Sequence, residues 1–130
     1  MKKSEVISAV NAINKIPVNK ITDKGVRNAL IDNYLILRKA AKGIMDERED
    51  LLDKFRSDWA AEIAAGQNGA QPSPEFLAAQ QNLDEDFGRI GKTYIDVEGL
   101  STLDKAAFFG ALGDADLNFE DIAALDGIII

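Results

Sequence analysis

One stretch, residues 23–65, constrains this chain more than any other. Val26, Leu30, Tyr34, Leu37, Ala41, Ile44, Leu51, Phe55, Trp59 and Ile63 recur at helical spacing, with Arg48 the single charged member of the stripe. Thr22 or Asp23 is placed to cap the start. Roughly forty residues of helix at 1.5 Å per residue reach about 60 Å, whereas a globule of this chain length has a radius of gyration of only ~14 Å. A helix of that reach needs a partner along its length.

The partner is encoded downstream. Residues 66–74 (Gly-Gln-Asn-Gly-Ala-Gln-Pro-Ser-Pro) hold two glycines, two prolines and no charge, and form the clearest loop signal in the chain. Beyond them Phe76, Gln80, Leu83, Phe87, Ile90 and Tyr94 alternate spacings of four and three, a heptad seam interrupted by one glutamine. The expected fold class is therefore mainly α, with a long antiparallel, coiled-coil-like helical hairpin over 23–94 and its tip at 66–74. The returning arm, roughly twenty residues, covers only about 30 Å. The proximal part of the long helix, about residues 26–45, must then be covered by something else. It is apolar over a wider arc, adding Ala29, Ile31, Leu35, Ile36 and Met45 to the stripe. The first helix and the C-terminal region are the expected cover, and Gly43 is the expected site of any bend.

The remaining segments form a small base within a single domain spanning 1–130. In residues 1–22, Ser4 is placed to cap a short helix carrying Val6, Ile7, Val10 and Ile13, which Pro17 stops. Residues 16–21 alternate apolar and polar side chains, as do residues 93–98, so the two are expected to pair as a minimal two-stranded β element. In residues 95–130, Ser101 is placed to cap a helix ending near Leu112, residues 113–116 form a turn, and Asn118 caps a last helix with Phe119, Ile122 and Leu125. The closing Ile128-Ile129-Ile130 is expected to be buried or held by a partner, because an exposed apolar tail invites aggregation.

Chemistry is narrowed by two absences: the chain has no cysteine and no histidine. Disulfides, thiolate nucleophiles, iron–sulfur clusters, imidazole bases and ordinary zinc sites are excluded. Gly91-Lys92-Thr93 lacks the earlier glycine of a phosphate loop, having Asp86 there, and follows a helix instead of a strand. Asp114, Asp116 and Asn118 match the first ligands of a calcium loop, but Phe119 stands where glycine is required and Leu125 where a bidentate glutamate is required. Facing carboxylates in a bundle suit two metals only with a Glu-x-x-His pattern, which this chain cannot supply. No catalytic residue, cofactor or metal is expected, and the chain is expected not to be an enzyme.

The formal net charge of −7 conceals a division. Residues 1–45 hold nine basic and three acidic side chains; residues 46–130 hold six basic and nineteen acidic ones. The basic residues lack aromatic interleaving or a compact helix-turn-helix, so direct nucleic-acid binding is not expected. The acidic portion offers the candidate interaction residues: Asp46, Glu49, Asp50 and Asp53 on one face of the long helix, Asp84, Glu85 and Asp86 on the returning arm, and Trp59 near the tip as a seam residue. With no membrane span and no signal sequence, the expected location is the cytoplasm of a bacterial host cell.

The layout resembles a group of small bacteriophage and prophage proteins of unknown function. The shared features are a short opening helix, the Ile16-Pro17 connector, a long charged helix with a variable middle, and the closing phrase from Leu117 through Asn118-Phe119-Glu120-Asp121-Ile122 to Ile129. Gly127 departs from it, standing where a larger apolar residue is expected. The resemblance implies a phage or mobile-element origin and transfers no functional residue. The expected function is a non-enzymatic protein-interaction or assembly module, with a protein partner or self-association. The alternative is an acidic inhibitor that mimics nucleic acid in the groove of a host enzyme.

Overall fold

In the computed structural model, which describes residues 1–113 and 115–129, six α-helices carry the chain. They are α1 (Lys3–Asn14), α2 (Lys24–Asp58), α3 (Ala60–Gln67), α4 (Pro74–Lys92), α5 (Lys105–Leu112) and α6 (Phe119–Ala124). A 3-10 turn (Val18–Lys20) links α1 to α2. No helix among the described residues is long and apolar enough to cross a membrane.

The helix boundaries follow capping chemistry. Asp23 accepts a hydrogen bond from the Val26 N–H (3.1 Å) at the start of α2, and Ser73 Oγ accepts from the Phe76 N–H (3.1 Å) at the start of α4, where Pro74 takes the first position. Asn118 and Asp121 cap α6 reciprocally: Asn118 Oδ1 accepts from the Asp121 N–H (2.9 Å) and Asp121 Oδ2 from the Asn118 N–H (3.1 Å). Two expected caps are corrected. α1 starts at Lys3 instead of after Ser4, with the Lys2 N–H donating to Glu5 Oε1 (2.8 Å). α5 is capped by Asp104, which accepts from the Ala107 N–H (2.9 Å), and Ser101 lies three residues upstream.

The core occupies only the proximal part of the molecule. Val6, Ala9, Ala12 and Ile13 of α1 pack against Val26, Leu30, Leu37, Ala41 and Ile44 of α2, joined by Ile16, Ile21, Ile90, Leu103, Phe108, Leu125 and Ile128. α1 and C-terminal residues thus cover the main stripe of the proximal half of α2, but of the residues that widen its apolar arc Ile31, Leu35 and Met45 stay exposed. Beyond Ile44 no residue of α2 is buried, and α3 has none. Gly43 causes no interruption: α2 runs through it, and the break falls at Trp59, whose backbone (φ −118°, ψ 22°) departs from helical values.

The expected β element does not form between residues 16–21 and 93–98. The first of these segments coils into the 3-10 turn, which puts Ile16 and Ile21 both into the core. The second meets the N-terminus instead. The Lys3 N–H donates to the Thr93 carbonyl (2.9 Å) and the Ile95 N–H to the Met1 carbonyl (2.8 Å), giving one isolated antiparallel bridge at Lys2 and Tyr94. A second bridge ties Leu103 to Ile129, with the Leu103 N–H donating to the Ile128 carbonyl (2.8 Å). Ile128 is buried, so the C-terminal apolar segment is held by its own chain as far as Ile129; Ile130 and Asp114 lie outside the described residues.

Candidate functional site

Beyond the core, α2 and the α2–α3 break meet α4 through aromatic rings. Phe76 at the start of α4 lies 5.7 Å from Phe55 and 5.6 Å, edge-on, from Trp59, centroid to centroid. Nearer the base, the Arg48 guanidinium sits 5.4 Å above the Phe87 ring, which explains how a charged residue occupies the apolar stripe. These pairs match an early position on one helix with a late position on the other. Ser73 closes the far end: besides capping α4, its hydroxyl donates to Glu62 of α3 (2.7 Å to Oε1). Two seam expectations are corrected. Gln80 is exposed and Ala79 takes its place, while Tyr94 lies past the end of α4 and is 70% exposed.

The candidate carboxylates divide into separate groups. Asp50 and Asp86 come together across an open groove between α2 and α4, joined by Glu47, Lys54 and Arg89; the groove measures about 520 Å³. Arg89 pairs with Asp86 at 3.0 Å, and Lys54 with Asp58 at 3.0 Å. Glu49 and Asp53 instead approach Arg56, at 3.6 and 3.8 Å. Asp46, Asp84 and Glu85 are exposed and outside the groove. Trp59 is half-buried and in edge-on contact with Phe76.

Such exposed pairs contribute about 0–1 kcal/mol each and are screened by salt, so these carboxylates do little for stability. Among the described residues no three acidic side chains come together as a metal-holding group. What the arrangement offers is electrostatic. Residues 46–92 hold eleven carboxylates and five basic side chains, displayed on helices that contribute only one buried residue there, Ile90. Glu47 was missed by sequence reasoning although its i, i+3 and i+7 relation to Asp50 and Lys54 signals the groove-facing side. It also receives a hydrogen bond from Lys3 Nζ (2.8 Å), which ties the groove to α1.

Two further polar side chains hold the base together. Asn33 is fully buried: its Nδ2 donates to the Ser101 carbonyl (2.8 Å) and its Oδ1 accepts from the Ser101 N–H (2.7 Å). Asp121 accepts from Lys15 Nζ at 2.9 and 3.0 Å. The Lys15 hydrogen bonds and then the Asn118 N–H hold the Asp121 carboxyl below its ordinary range. No family model matches the chain, and neither does any curated protein or solved structure.

Proposed function

We propose that the protein is a non-enzymatic protein-interaction or assembly module, and that the distal parts of α2 and α4 with α3 act as a coiled-coil-like antiparallel hairpin presenting an acidic face to a basic protein surface. The supporting observation is the contrast along α2. Its proximal half contributes six buried residues to a multi-element core; its distal half contributes none, is held by one aromatic seam and leaves Asp46, Glu49, Asp50 and Asp53 exposed. A segment so little involved in the core, yet so rich in one sign of charge, is suited to steering and docking. Derivation from a phage or prophage is part of the proposal and rests on the layout of the chain and its C-terminal phrase.

A photo-crosslinking residue in place of Ala61, introduced into the full chain in bacterial cells, tests the reading. The expected result is a discrete adduct that disappears with Glu49→Lys plus Asp53→Lys and fades as salt rises. Absence of any adduct from the distal positions contradicts it. In the alternative reading, in which the acidic face inhibits a host nucleic-acid enzyme, DNA competes with the adduct as well.

A further inference from the structure

The base carries two apolar features that its own chain leaves uncovered. Phe119, the first residue of α6, is 91% exposed, more than any other large apolar side chain described. The second feature is a groove of about 250 Å³ where the end of α1, the 3-10 turn and the start of α2 meet, walled by Ile13, Ile16, Val18, Leu30, Ile31 and Tyr34. Leu35, one turn beyond Ile31 and 56% exposed, extends its apolar edge. One feature is a knob and the other a hole.

The charges near them are opposite in balance: around the groove, basic side chains outnumber the one carboxylate, Asp32, that adjoins Ile31. Arg27 precedes Ile31 by one helical turn, Arg38 follows Tyr34 by one turn, and Lys20 ends the 3-10 turn that supplies Val18. Phe119 is flanked by the exposed carboxylates Asp116 and Glu120. We propose that Phe119 of one copy seats in this groove on a second copy, with Asp116 and Glu120 facing the basic rim. Both features belong to the same end of α1: Asn14 lines the groove, and the next residue, Lys15, holds Asp121, two residues beyond Phe119. A two-fold axis through that end engages both contacts at once and closes the assembly as a dimer. The contact uses none of the distal carboxylates, so it goes beyond the interaction reading above and is separable from it.

Sedimentation analysis of the full chain over a micromolar to submillimolar range provides the test. The expected result is a reversible dimer, weakened by salt. Phe119→Ser and Ile31→Lys each raise its dissociation constant roughly hundredfold to ten-thousandfold, because in a two-fold dimer either substitution removes both symmetry-related contacts. Both positions are exposed, and unchanged far-ultraviolet dichroism and melting show that the variants fold. An equimolar mixture of the two variants, one keeping the hole and the other the knob, associates more tightly than either alone. Glu49→Lys plus Asp53→Lys leaves the dimer intact, which separates this contact from the distal one. A wild-type monomer throughout the range, a dimer indifferent to Phe119→Ser, or a mixture no tighter than its components overturns the proposal.

Discussion

Asn33 makes two hydrogen bonds that no apolar pattern reveals. It lies three residues after Leu30 and four before Leu37, squarely on the buried stripe, whereas the apolar periodicity assigns that place to Tyr34, which is only half-buried. A polar residue on a core face is legible only when its partner is known, and that partner, the Ser101 backbone, is distant in sequence. Replacing Asn33 with alanine removes both bonds and leaves the Ser101 amide and carbonyl without them. The expected cost is about 1–3 kcal/mol, measured by urea denaturation. Asp121 acts similarly at the other side of the base. Its folded carboxyl titrates below the unfolded value, so its contribution is fully present above about pH 4 and is lost as pH falls through the folded value. Lys15→Met is therefore expected to destabilise the protein at neutral pH, with the difference from wild type shrinking towards zero in acid melts. A constant difference down to pH 2 contradicts the assignment.

Among the elements, those with strong local signals were the legible ones. Of the two caps offered for α2 Asp23 serves, and the Asn118 cap and the Leu112 terminus stand where expected, while the loop expected at 66–74 is shortened to 68–73 because α3 runs to Gln67 and Pro74 opens α4. The apolar spacing of α4 departs from the structure at Gln80, which is exposed while Ala79 is half-buried, because an alanine can pack where a glutamine cannot without burying an amide. The failed β pairing has a different cause: alternation identifies a segment able to extend, not its partner, and residues 93–95 bond to the N-terminal backbone instead. The aromatic seam and the core should also respond differently to truncation. Phe108→Ala, at a fully buried position, is expected to cost about 3–5 kcal/mol of global stability. Phe76→Ala removes two ring contacts worth about 0.5–1.5 kcal/mol each, and most of its effect should fall on opening of the distal helices. Equal losses in global unfolding for the two variants contradict that division.

At the scale of the whole molecule, the charge division in sequence does not become a simple separation in space. The C-terminal acidic residues fold back onto the basic N-terminal third, as the Lys15 and Asp121 pair shows, while residues 46–92 keep their excess of carboxylates on the distal helices. Composition alone gives only the total; the fold decides which carboxylates are neutralised and which are displayed. One chain thus combines a base built on a multi-element buried core with a distal helical segment held by a single seam. Native-state hydrogen exchange tests it most directly, because each amide reports the opening that exposes it. Amides of α1 and of α2 between Leu37 and Ile44 are expected to exchange only through global unfolding. Those of α3, of α2 beyond Leu51 and of the first half of α4 are expected to exchange through a local opening of lower free energy. A single uniform protection level from Leu37 through Leu83 would contradict the account.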